Sequence, residues 1–107
     1  MKIYELKNFT KGWLIGDFKK SVVRVKAFEF GVKDYRAGDI EQKHVHKKAD
    51  EITVIISGKF KMNGKILNPG NVIWLKPGQP GQFGCLKKGT IAVIKTPSVI
   101  GDKYLIN

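Results

Sequence analysis

Short runs rich in Val, Ile, Phe and Thr recur along this chain, broken every few residues by glycine or proline. That rhythm belongs to strands and turns, not to amphipathic helices. The runs predict strands at Trp13 to Phe18, Val22 to Val32, Gln42 to His46, Glu51 to Ser57, Lys59 to Met62, Lys65 to Leu67, Val72 to Leu75, Gln82 to Leu86 and Thr90 to Lys95. Asn63-Gly64 falls between two runs and predicts a tight type I′ hairpin, because both central residues of that turn need positive φ. Asn68-Pro69-Gly70 and Lys76-Pro77-Gly78 read as turns, proline fixing one φ and glycine supplying the positive one. The only helical feature expected is a short turn near the N-terminus. So many strands in so short a chain must close on themselves or pack as two sheets to protect their edges, which makes the fold all-β.

Side-chain alternation then picks out a chemical cluster. The two histidines of the chain, His44 and His46, sit at i and i+2 of one predicted strand, so both face one side, with Gln42 expected beside them. Glu51 follows across the polar connection Lys47-Lys48-Ala49-Asp50, which is long enough to reverse the chain and bring the carboxylate to the imidazoles. Two imidazoles and a carboxylate on one face form a set that suits Fe(II) and also accommodates Mn, Ni, Co or Zn. An H-x-H pair by itself also fits two histidines on a polar strand face.

The wider spacing adds weight. Gly38, His44-Val45-His46, Glu51 and Gly58 fall at intervals that resemble the first sequence motif of the cupin superfamily. Gly70-Asn71-Val72-Ile73-Trp74-Leu75-Lys76-Pro77-Gly78 resembles the opening of the second motif, with Lys76 where the family has proline. The resemblance implies a single cupin domain over residues 1–107, a double-stranded β-helix or jelly-roll barrel, with its core at about 20–97. It implies that His44, His46 and Glu51 are metal ligands. It also implies a third histidine at position 81 and often an asparagine at 85, where this chain has Gly81 and Cys85. Three readings follow. The three remaining groups bind metal with an open position; or Gln79, Gln82 or Cys85 substitutes; or the site is metal-free and the same groups serve an organic ligand.

Parity extends the pocket. Thr53 and Ile55 share the face of Glu51, while Ile52, Val54 and Ile56 take the other. Phe83 and Cys85 share the side of Gly81. Trp74, and one parity set of Val23, Val25, Phe28 and Phe30, are further lining candidates, though most aromatic residues of a small barrel simply fill its interior. The space beside Gly81 is expected to hold a ligand, water or Phe83. Gln42 and Thr53 are candidates to orient a substrate.

Composition narrows the function classes. The formal net charge is +11, from 20 Lys+Arg against 9 Asp+Glu. Such a field suits a small anionic molecule. Only Arg24 and Arg36 are arginines and the lysines are scattered, which argues against a base-reading nucleic-acid surface. No apolar run is long enough for a membrane span, the N-terminus lacks a secretory signal pattern, and the single cysteine excludes an intrachain disulfide, so a cytoplasmic location is expected. No Gly-x-Ser-x-Gly elbow or phosphate-cradling loop is present. The resemblance implies isomerase, epimerase, lyase or dioxygenase chemistry, or a non-catalytic ligand-binding or structural module. It also implies a homodimer. The segment after Pro97 is expected to cross the barrel mouth, to pack on a second subunit, or to be a plain terminus.

Overall fold

The computed structural model describes residues 1–106. Two short 3₁₀ turns, Leu6–Asn8 and Thr10–Gly12, precede nine strands: β1 Trp13–Gly16, β2 Val23–Arg24, β3 Glu29–Tyr35, β4 Ile40–Val45, β5 Asp50–Met62, β6 Lys65–Leu67, β7 Val72–Leu75, β8 Gly81–Thr96 and β9 Tyr104–Leu105. β8 is the hub. It pairs antiparallel with β3, with β4 and with β5. β5 also pairs with β6 and β7, so the sheet folds back on itself around β5 and β8. The all-β expectation holds.

Three boundaries differ from the sequence expectation, each for a physical reason. The runs 51–57 and 59–62 form one strand, and so do 82–86 and 90–95, because β5 and β8 pair through their shared bends. Glycine permits this at the crossing. A Cβ on Gly58, which has φ +82°, would lie 2.5 Å from the Lys88 carbonyl oxygen, and one on Gly89 would lie 2.1 Å from that of Ser57. The run 22–32 splits instead. Val23–Arg24 pairs parallel with β1, and a new strand begins at Glu29 and continues to Tyr35. The Asn63-Gly64 turn is as expected, with φ of 51° and 80° and Met62 paired to Lys65.

The core occupies one end of the barrel. Ile55, Phe60, Met62, Leu67, Phe83 and Cys85 pack there with Leu75 and Ile91. Phe60 and Phe83 stack with centroids 5.1 Å apart, and Tyr35 meets both edge-on at 5.6 and 5.5 Å. Burying each such ring contributes about 1.5–3 kcal/mol. Because these large side chains fill one end, the polar residues of β4 and β5 collect at the other.

The tail after Pro97 completes the sheet. β9 pairs antiparallel with β4, setting His44 opposite Leu105 and Val45 opposite Tyr104. Ser98 ties its root down, accepting from the Asp17 N–H at 2.9 Å and donating to Glu29 at 3.0 Å. Among the described residues, no helix is long and apolar enough to cross a membrane.

Candidate metal centre

β4 delivers His44, the residue after its end is His46, and β5 delivers Glu51. His44 and His46 are buried, at 6% and 4% exposure, and the Glu51 side chain is 14% exposed. One ligand atom from each lies within 4.8 Å of the others. The imidazoles meet edge-on with centroids 5.0 Å apart.

Each imidazole is oriented by a backbone carbonyl. The Nδ1 of His44 lies 2.8 Å from the Gln42 carbonyl oxygen, and that of His46 lies 2.5 Å from the Asp102 carbonyl oxygen. A carbonyl oxygen only accepts, so Nδ1 carries a proton in both rings and Nε2 is the atom turned to the cavity, with a lone pair to offer when the ring is neutral. A carbonyl behind the ring is the arrangement that orients metal-binding imidazoles.

The tail sets this geometry at its centre. The Asp102 carboxylate accepts from the backbone N–H groups of Lys47 at 2.9 Å, Lys48 at 3.2 and 3.1 Å, and Ala49 at 2.9 Å. It therefore holds the turn that brings Glu51 back beside His46. Burial alone would raise its pKa; the three N–H donors outweigh this and hold it below the usual aspartate value.

One contact tests whether a cation fits. His46 Nε2 and Glu51 Oε2 are 2.9 Å apart, yet both atoms are fully buried and neither makes an aligned hydrogen bond. Nδ1 is turned to the Asp102 carbonyl, so Nε2 is the ring atom that faces the carboxylate oxygen. Two such atoms are held together by a positive centre, which a proton on Nε2 or a bound cation supplies. A divalent cation meets that need, and imidazole, imidazole and carboxylate are donors it accepts. Burial would raise the Glu51 pKa, but the His46 contact and the charges of Lys95 and His44 bring it below the usual value. Burial lowers the His44 pKa, against the pull of its Gln42 contact, favouring the neutral ring. The residues fit a divalent metal.

The three groups line a cavity of about 160 Å³, with Ile91 and Val93 as an apolar wall. Its remaining lining was not read from the sequence. Glu41 takes the place expected for Gln42. Between Glu41 and His44, β4 advances three residues while β8 advances two, from Phe83 to Gly81. That bulge reverses the alternation, so Glu41 faces inward with His44 and Gln42 is exposed. Lys33 and Tyr35 enter from β3 and Lys95 from β8. Burial, reinforced by Lys95 and Lys103 and opposed by Glu41 and Glu51, brings the Lys33 pKa down to about 8. Burial pushes the Tyr35 phenol up, with help from Glu41 and Glu51, so it stays protonated. Alternation along β3 and β8 could have indicated Lys33, Tyr35 and Lys95, had the limits of β3 been known.

The other pocket candidates are placed elsewhere. Trp74 lies on the outer face, 57% exposed, donating its indole N–H to Asp50 at 2.8 Å. Thr53 faces inward and is buried but does not line the cavity. Phe83 and Cys85 belong to the apolar core, and the Cys85 thiol donates to the Lys87 carbonyl at 3.1 Å. Val23 is exposed, and Val25, Phe28 and Phe30 do not reach the cavity. Gly81 pairs with His44 as the spacing implies, but the room beside it is taken by Leu75, whose Cδ1 lies 2.8 Å from where a Cβ would stand. Cys85 does not join the three ligand groups, and none of Phe83, Gln79 and Gln82 lines their cavity.

No family model matches the chain, and no curated protein matches it. Solved structures do. A protein with a double-stranded β-helix domain from Klebsiella pneumoniae aligns with a TM-score of 0.72 and 18% identity over 97% of this chain and 90% of that one. The DMSP lyase DddQ from Ruegeria pomeroyi aligns at 0.71 and 22% identity, over 87% of this chain and 49% of that one. Oxalate decarboxylase from Bacillus subtilis, which has Mn(II) centres, aligns at 0.64 and 14% identity, over 76% of this chain and 24% of that one. This chain thus spans about half the length of the lyase and a quarter of the decarboxylase. The fold is that of a small cupin, a double-stranded β-helix. Its inward face carries a His/Glu group able to hold a metal.

Proposed function

We propose that this cupin is a metal-dependent enzyme that moves a proton on a small anionic substrate, in isomerase, epimerase or lyase chemistry. The observation that carries this reading is the buried cluster of His44, His46 and Glu51, whose ligand atoms lie within 4.8 Å of one another. His44, His46 and Glu51 would hold Fe, Mn, Ni, Co or Zn, leaving positions open for substrate. The ion, when bound, supplies a Lewis acid that polarises a substrate oxygen. The chain supplies the rest. Tyr35 is a neutral phenol that can donate a hydrogen bond, and Lys33, with a pKa near 8, can carry a proton near neutral pH. Ile91 and Val93 keep one wall dry. These proton-holding groups favour isomerase, epimerase or lyase chemistry over dioxygenation.

The test is metal content and stability. Untagged protein purified without added metal is assayed for Fe, Mn, Ni, Co and Zn, then melted with each. Stoichiometric metal, or a rise of roughly 10 °C or more at a hundredfold excess over Kd, supports the reading. No metal and no rise with any ion defeats it. It would favour the second reading, a metal-free binding module, which rests on Leu75 occupying the room beside Gly81.

A homodimer is proposed on separate grounds. Phe30 and Val32 of β3, Ala92 and Ile94 of β8, and Ile52 and Val54 of β5 are paired neighbours on the outer face of the sheet. Val72 and Trp74 continue that face and are 64% and 57% exposed. A continuous apolar face of this kind is best covered by a second copy. Light scattering after size exclusion decides it, a monomer at high micromolar concentration being the refuting result.

A further inference from the structure

We propose that Lys33 and Lys95, both set against the ring of Trp13, form a subsite that binds the carboxylate of a short-chain organic acid. The proposal deepens the reading of the cavity as a small-molecule site and holds with or without a metal.

Lys33 carries the argument. Its side chain is drawn into the cavity by its place on β3, between the inward residues Gly31 and Tyr35. Among the described residues it makes no ion pair. An ammonium that leaves water without a counter-charge is costly. Glu41 and Glu51 favour the charge without pairing with it, and the group in contact with the ammonium is the face of Trp13, whose centroid lies 4.2 Å from Lys33 Nζ. The same ring has Lys95 Nζ at 4.9 Å. Lys95 is 16% exposed and reaches Glu29 at 3.4 Å, a single long contact that leaves donors free. Two ammoniums are thus gathered by one indole at the wall of a cavity, where an anion would satisfy both.

The charges facing this point favour an anion on balance. Lys11 and Lys103 also line the cavity, against Glu41 and Glu51. Glu51 lies against His46, 2.9 Å from its Nε2. Neither arginine lines it, so planar bidentate recognition is not what the site offers. A volume of about 160 Å³ holds about five waters, the scale of a short-chain acid. A larger hollow of about 420 Å³ beside it, lined by Phe18, Val99 and Ile100, shares Trp13, Lys95 and Lys103 with the cavity. The subsite therefore sits where the two spaces meet.

Metal-free protein with Trp74→Phe leaves Trp13 as the reporter, since the chain has two tryptophans. Malonate is titrated against its neutral isostere malonamide while Trp13 fluorescence is followed. The expected result is a saturable change with malonate and none with malonamide. Lys33→Met should weaken malonate at least tenfold while leaving the melting temperature unchanged or higher, because a desolvated charge is removed. Lys95→Met is the second variant and should also weaken binding; Lys76→Met, an exposed control, should not. Equal response to malonamide, no saturable response to malonate, or unchanged affinity in folded Lys33→Met would overturn the proposal. Because no metal is present, the outcome is independent of whether His44, His46 and Glu51 bind one.

Discussion

Replacing Asp102 by asparagine should destabilise the fold far more than a substitution near a chain end usually does. The carboxylate is 6% exposed and accepts from three consecutive backbone N–H groups, Oδ1 taking Lys47 and Lys48 and Oδ2 taking Lys48 and Ala49. Hydrogen bonds to a charged acceptor contribute about 1.5–3 kcal/mol each. Asparagine keeps one oxygen and points an NH₂ at donors that were satisfied. The loss is then about 2–4 kcal/mol, or roughly 10–20 °C in Tm for a domain of this size. The pH dependence adds a second signature. The Asp102 pKa is held down in the folded state, so its contribution is complete above the unfolded value of about 3.9 and fades as pH falls through the lower folded value. Thermal melts of both proteins across acidic to neutral pH read both effects. The Tm gap should be flat from neutral pH to about pH 5 and should close below about pH 4. A gap under about 3 °C at neutral pH, or one that persists unchanged in strong acid, would refute the clamp.

Four further outcomes follow from named contacts. His44→Ala should remain folded by circular dichroism yet lose metal-induced stabilisation and turnover; retention of both would remove His44 from the centre. Gly81→His alone should be strained, since its Cβ would lie 2.8 Å from Leu75 Cδ1, whereas Gly81→His with Leu75→Ala should bind metal more tightly than the parent chain by competition titration. Gly58→Ala should cost several kcal/mol in chemical denaturation, because the residue has φ +82° and its Cβ would lie 2.5 Å from the Lys88 carbonyl oxygen; a loss under about 1 kcal/mol would contradict the close crossing of β5 and β8. Trp74→Lys should shift the oligomeric state to monomer in light scattering without lowering metal affinity, since Trp74 lies on the outer face.

Alternation read along the chain was sufficient for much of the barrel. The Asn63-Gly64 hairpin, the inward set Glu51, Thr53 and Ile55, and the common face of His44 and His46 all depend on periodicity within one strand. The same reasoning misplaced Gln42, because alternation assumes an unbroken ladder and β4 has a bulge between Glu41 and His44. It misplaced Trp74 for a related reason. Which face of a short strand turns inward depends on its partner, and Trp74 pairs with Ile52 on the outer face.

The residues of the sequence by themselves determined an all-β chain whose two histidines and Glu51 share one interior face, because spacing and side-chain direction are local properties. Only the tertiary structure decided what surrounds them. The Asp102 carbonyl that orients His46 comes from 56 residues away. Leu75 fills the room beside Gly81 from another strand. Lys33 and Lys95 meet over Trp13 because β1, β3 and β8 are adjacent in the sheet. Such contacts are set by register and closure, which depend on the packing of all the strands together and leave no periodic trace in any one of them.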